Sequence, residues 1–163
     1  MTAPDGAMAS PAAAAVALLV ERGQTLAVAE SLTGGLLAAT IVEIPGVSAV
    51  FRGGLVVYAT DLKHSLAGVP SGLLDERGPV DGEVAQALAE GARERCGADW
   101  GLATTGVAGP DPQDGKPVGL VYVAVAGPTN KIVRELLLTG SRAAIRLGAM
   151  LSALDLLTDE LRK

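Results

Sequence analysis

The chain has 163 residues, 49% of them hydrophobic and 19% charged, with a formal net charge of -5; this fits one domain with room for a core. The acidic balance argues against a general nucleic-acid binder, which needs a basic face to neutralise phosphates, and 2% aromatic residues leave little for base stacking. A single cysteine, Cys96, and a single histidine, His64, exclude an intramolecular disulfide and make a cysteine metal cluster or a histidine zinc site hard to build, so any catalytic base must be sought among other residue types.

Residues 1–9 read as a flexible N-terminal tail ahead of one domain over 10–163. The opening MTAPDGAMASPAAAAVALLVERG has no basic n-region, and no uninterrupted apolar run reaches the about 20 residues of a membrane span. The expectation is a cytoplasmic protein with no membrane partner. Ser10-Pro11 reads as N-cap and first position of a helix that stops at Gly23. TLAVAE (25–30) is a short apolar run, as expected of a strand covered on both faces. GGLLAATIVEI (34–44) predicts a helix with Leu37, Ile41 and Ile44 on one stripe. LVVYAT (55–60) predicts a second strand, and Asp61 a cap for the short helix LKHSLAG. SGLLDERGPV reads as a loop between Pro70 and Pro79.

Asp81 opens the clearest helix, DGEVAQALAEGARERCG, with acids at its start, Arg93 and Arg95 at its end and Gly97 just past it. GLATT (101–105) is a further buried strand, and LVYVAVA (120–126) with IVRELLL (132–138) predicts a strand pair across GPTNK. The last helix, 142–161, carries Leu147, Met150, Leu151, Leu154, Leu157 and Leu161 at helical spacing. Strands alternating with helices, closed by a β-β-α unit, imply the α/β class: a single three-layer α/β/α domain with a mixed, mostly parallel sheet.

In open α/β sheets ligands gather at the carboxyl ends of strands, and the unusual residues of this chain fall there. ESLTGG follows the first strand. Ser31 in it stands where a helix cap is the commoner occupant, yet Gly34 and Gly35 also let a ligand approach the backbone. The segment is neither a Walker loop nor a dinucleotide fingerprint. YATDLK brings Tyr58 and Lys63. A desolvated lysine replaces histidine as the base of a serine nucleophile, whereas most lysines are simply solvated. The loop TTGVAGP, with Thr105, Gly106, Ala108 and Gly109, reads either as a backbone cradle for an anion or as an ordinary turn. Arg142 and Arg146 share one face at the positive end of the last helix; a bound anion or a distant carboxylate would offset them. Arg52 is a further candidate for a basic lining. His64, next to Lys63, points about 100° away from it and reads as exposed.

AESLTGG, FRGGLVVYATDLKHSLAGV, TGVAGP with KPVGLVYVAVA, and the G-x-R-x-x-I-R of GSRAAIR occur in this order. On these motifs the chain, from about Pro11 to its end, resembles the CinA C-terminal domain family in its stand-alone form. The characterised activity of that family is nicotinamide mononucleotide deamidation. The resemblance implies an amidohydrolase with Ser31 as nucleophile on the carboxamide carbon, Lys63 as general base and Tyr58 assisting. It implies Thr33, Gly34, Thr105 and Gly106 lining the site, and Arg142 or Arg146 meeting the phosphate. It implies a homo-oligomer, commonly a dimer, with a small nucleotide as substrate and no metal or organic cofactor. The family often reads GDR-x-E-I-R where this chain has Ser141 and Ala144 in place of the two acids. Asp61 stands where Asn is common, and the loop after Pro110 is shorter than usual. These departures bear on substrate affinity and range, and motivate two rivals to the deamidase: a nucleotide-binding module without turnover, and an amidase for another small amide.

Overall fold

The computed structural model describes residues 10–163; the expected tail lies outside the described residues. Ser10 caps α1 (Pro11–Arg22) by accepting from the Ala13 N–H, and Gly23 ends it in a left-handed conformation at φ 65°. β1 (Leu26–Glu30) is buried at every position and leads through a tight turn into α2 (Leu36–Val42). The edge strand β2 (Phe51–Val56) follows, then α3 (Thr60–Ser65), α4 (Ser71–Arg77) and α5 (Gly82–Arg95), which Asp81 caps through the Glu83 and Val84 N–H groups. The chain finishes with β3 (Trp100–Gly106), the hairpin β4 (Leu120–Ala126) and β5 (Lys131–Leu137), and the long helix α6 (Arg142–Leu161).

The strands form one sheet in the order β2-β1-β3-β4-β5. β1 runs parallel to both neighbours, and β3, β4 and β5 pair antiparallel. The sheet is therefore mixed as expected, with its parallel half at the β1 side. The chain leaves β1 toward β2 on one side and returns to β3 on the other. Right-handed crossovers in opposite directions put their helices on opposite faces, and the reversal opens a crevice at the carboxyl ends of the strands.

Two cores follow. One face packs α1, α2 and α6 over large apolar residues such as Leu26, Val28, Leu102 and Val123. The other packs α5 over a sheet face made of Ala27, Ala29, Ala103, Ala124 and Ala126. The small residues bring α5 close: a Cβ on Gly101 would sit 1.8 Å from the Ala89 carbonyl oxygen. Along α6, Met150, Leu154, Leu157 and Leu161 are buried, whereas Leu147 and Leu151 of the same spacing face outward.

Several boundaries differ from the sequence reading. α3 begins at Thr60, with Ala59 at the cap position, so Asp61 lies in its first turn rather than capping it. The second strand lies at 51–56 rather than 55–60, because the Val57 and Tyr58 carbonyls leave the ladder and accept from Lys63 Nζ instead. Gly54 lets this strand approach β1, since a Cβ there would meet Val28 Cγ2 at 2.6 Å. SGLLDERGPV is not all loop: its first seven residues form α4, which buries Leu74 against the alanine-rich core. Gly34 and Gly35 stay outside α2, at φ 56° and 106°, a left-handed pair that a helix cannot contain. No described helix is long and apolar enough to cross a membrane.

Candidate active site

β1 ends in Glu30, and its carboxylate curls forward over the turn. Oε1 accepts from the Gly35 and Leu37 N–H groups at 3.2 and 2.8 Å, and Oε2 from Ala38 N–H at 3.0 Å. Glu30 is thus the cap of α2, satisfying donors that a helix start leaves orphaned. Ser31, which stood where a cap would, is not one: its Oγ accepts no backbone N–H among the described residues and instead meets Lys63 Nζ at 2.9 Å. The Ser31 N–H is held by the Thr104 carbonyl, and the Thr33 hydroxyl is 2.8 Å from the Thr104 hydroxyl.

Lys63 is the sole buried residue of α3 and is only 1% exposed. Its Nζ donates to the Val57 carbonyl at 2.7 Å and the Tyr58 carbonyl at 3.1 Å, and no carboxylate lies within 4.0 Å among the described residues. Burial without a counter-charge penalises the ammonium form, and the amine falls from the ordinary 10.5 to about 8. The three contacts suit both protonation states: the ammonium donates to the two carbonyls and to Ser31 Oγ, and the neutral amine keeps two N–H donors for the carbonyls and turns its lone pair to the serine proton.

Tyr58 contributes through its backbone. Its carbonyl fixes Lys63, whereas the residue as a whole is 60% exposed and its hydroxyl accepts from Arg142 Nη2 at 3.2 Å. Arg142 also donates to the Gly109 carbonyl and so links α6 to the loop after β3. Arg146 engages the turn itself. Its Nε donates to the Leu32 carbonyl at 2.9 Å and its Nη2 to the Thr33 carbonyl at 3.0 Å.

Ser31, Lys63 and Tyr58 open onto a cleft of about 270 Å³ together with Thr105, Gly106, Ala108, Gly109 and Arg142. The Thr105 hydroxyl donates to the carbonyl of Pro79, another residue of the cleft lining. Thr33, Gly34, Gly35 and Arg146 shape the turn without lining the cleft. Arg52 is a correction. It lies at the amino-end half of β2, where its Nε donates to the Cys96 carbonyl, because the strand is displaced from the span expected of it. His64 is exposed, as expected, with Nδ1 2.8 Å from the Val69 carbonyl.

Besides Val107, Pro110, Asp111, Pro112 and Gln113 of the loop after β3, which line the cleft, other contributors were missed from sequence. Glu30 carried a signal, an acid closing a fully buried strand just before a helix. Leu32 and the Pro79–Val80 pair, which also line the cleft, carried none. Among the described residues no group of His, Cys, Asp and Glu gathers where it would hold a metal ion.

A sequence model of the CinA C-terminal domain matches residues 8–161. The chain is 55% identical over 139 residues to a CinA-like protein of Frankia casuarinae, an alignment covering 85% of this chain and 32% of that protein. It is 47% identical over 139 residues to a putative competence-damage inducible protein of Desulforamulus reducens, covering 85% and 34%. The chain thus spans about a third of the length of these curated relatives. Among solved structures, the competence/damage inducible protein CihA from Agrobacterium tumefaciens superposes with a TM-score of 0.90 at 34% identity, covering 100% of both chains. A CinA superfamily protein from Escherichia coli superposes at 0.86 with 28% identity, covering 97% of this chain and 94% of that one. The chain belongs to the CinA C-terminal domain family.

Proposed function

We propose that this CinA-family domain is an amidohydrolase that deamidates nicotinamide mononucleotide to nicotinic acid mononucleotide and ammonia. The observation that carries the reading is the buried lysine without a counter-charge, 2.9 Å from a serine hydroxyl at the mouth of a cleft. Two backbone carbonyls aim that lysine, so neither its position nor its protonation depends on a mobile partner.

The neutral Lys63 amine takes the Ser31 proton as Oγ adds to the carboxamide carbon. The Leu32 N–H, next after the nucleophile and without a hydrogen bond among the described residues, donates to the developing oxyanion. The Lys63 ammonium then protonates the leaving nitrogen, the C–N bond breaks and ammonia departs. Water adds to the acyl ester, giving one proton to Lys63, which returns it to Ser31 as the acid leaves. The pyridinium ring withdraws electrons from the carboxamide and eases the first addition. Arg142, whose guanidinium lines the cleft, meets the phosphate, while Arg146 is engaged with the turn carbonyls.

The test is ammonia release from nicotinamide mononucleotide by the purified chain in chelator. Turnover that Ser31→Ala abolishes supports the reading. Tight nucleotide binding with no ammonia from the wild type rejects it in favour of a binding module. Turnover indifferent to the substrate phosphate points to another small amide. A homodimer belongs to the same proposal, and light scattering reads it directly.

A further inference from the structure

We propose that Glu30 is a positioning residue for the nucleophile: its carboxylate reserves the start of α2 for itself and holds the Ser31 turn in register with Lys63. The inference rests on Ser31 being the nucleophile. It does not need nicotinamide mononucleotide to be the substrate.

Glu30 is 0% exposed, and no cation lies within 4.0 Å of its carboxylate among the described residues. A buried carboxylate without a cation persists only where hydrogen bonds replace its hydration. Here three N–H donors do so, from Gly35, Leu37 and Ala38. These residues lie five, seven and eight positions along the chain from Glu30. The bonds therefore close a ring of backbone around Ser31, Leu32, Thr33 and Gly34.

From the other side, Arg146 takes the Leu32 and Thr33 carbonyls. An acid thus holds the donors at one end of the turn and a base holds its acceptors. The Leu32 and Thr33 N–H groups are left without partners among the described residues. The division has a consequence for the chemistry. A helix start attracts any nearby anion, including a substrate phosphate, and the internal carboxylate removes that competitor. An oxyanion formed on Ser31 is left with the turn N–H groups, which are adjacent to the reacting atom.

The E30Q variant tests this, because it keeps shape and volume. A glutamine oxygen can still accept from Gly35 and Leu37, but its amide nitrogen then meets the Ala38 N–H donor to donor. The turn loses one anchor while Ser31 and Lys63 are untouched. The readout is the rate at which a small fluorophosphonate labels Ser31. In that step the Oγ–P bond forms, the P–F bond breaks, fluoride leaves and Lys63 takes the serine proton.

The expected result is labelling slowed on the order of 10- to 100-fold, the cost of a small misplacement of reacting groups. The pH midpoint of labelling stays at its wild-type value, since Lys63 keeps its carbonyls. In turnover assays kcat falls and KM holds. The E30D variant, whose carboxylate is retracted by one methylene, falls between E30Q and wild type, and it carries the comparison where E30Q does not fold.

Wild-type labelling rates in the folded variants, with only the melting temperature lowered, overturn the proposal and leave Glu30 a plain cap. Failure of the wild type to label at Ser31 overturns the nucleophile assignment and this inference with it. Labelling of the wild type without turnover of nicotinamide mononucleotide rejects the substrate and leaves the Glu30 comparison standing.

Discussion

The two ends of the parallel strands are built from similar residue types and used in opposite ways. At the amino end the polar groups close on one another. Asp99 Oδ2 accepts from the Thr25 N–H and hydroxyl, the Asp99 N–H returns to the Thr25 oxygen, and Arg93 donates to the Asp99 carbonyl. Arg52 donates to the Cys96 carbonyl, and the Trp100 indole N–H donates to Gln24. Those bonds join the starts of β1 and β3 to each other and strand ends to α5 and its cap, and stop there. At the carboxyl end two charge-bearing groups, Glu30 and Lys63, are buried with neutral backbone dipoles as their main partners. For Lys63, burial without a counter-charge lowers the pKa to about 8, a shift that an ion pair would oppose. The difference separates a seam from a site.

Substitutions at the two ends break or sharpen that contrast, and the largest effect is expected at Ser31. Ser31→Ala abolishes ammonia release from nicotinamide mononucleotide, a loss of at least about 10³-fold. Above about pH 8, where Lys63 is neutral, its stability changes by under about 1 kcal/mol, because a neutral lysine needs only the two carbonyls it retains. Chemical denaturation beside the ammonia assay reads both numbers. A large stability loss would return Ser31 to a structural role.

Lys63→Met removes the base, and kcat falls by about 10² to 10⁴. In the wild type, the rate rises with pH as Lys63 deprotonates, with a midpoint near the about 8 set by its burial. Stability carries the matching signature. The folded amine titrates below its unfolded value of 10.5, so between about 8 and 10.5 the unfolded chain binds more protons. Stability attributable to this group therefore rises with pH across that window. Below the window both states are protonated and the full desolvation cost remains. In Lys63→Met the rise disappears, which denaturation at a series of pH values detects.

The arginines separate next. Arg142→Gln raises KM for nicotinamide mononucleotide about tenfold with kcat nearly kept; the same variant changes KM little for the riboside lacking phosphate. Arg146→Ala acts on the turn. It leaves the Leu32 and Thr33 carbonyls without their donor, and stability falls by about 2 kcal/mol together with kcat. The smallest effect belongs to the amino end. Arg52→Ala leaves kcat and KM at wild-type values and costs under about 1 kcal/mol, and a changed KM there would erase the division between the two ends.

Much of the fold was legible because its signals are local. Ser10-Pro11 and Asp81 announce helix starts, Gly23 and Gly97 announce ends, and β4 shows as a continuous apolar run. α4 was not legible, because the flanking Pro70, Gly78 and Pro79 read as loop while the burial of Leu74 depends on a distant partner. Ser31, Tyr58 and Lys63 were legible as a set through their motifs, and Arg52 was misassigned because the strand boundary was misplaced.

By itself the sequence determined which chemistry the chain has to work with: one histidine, one cysteine, and hydroxyls, glycines and a lysine placed after apolar strands. Tertiary structure alone decided which of these groups meet. It put Lys63 under the Tyr58 backbone and against Ser31, gave the α2 cap to Glu30, and assigned one arginine to the cleft and the other to the turn. The reason is physical. Capping and periodicity act over a few residues and can be read in order along the chain. The desolvation of a lysine is a sum over everything packed around it, and that sum does not exist until the sheet and its helices have closed.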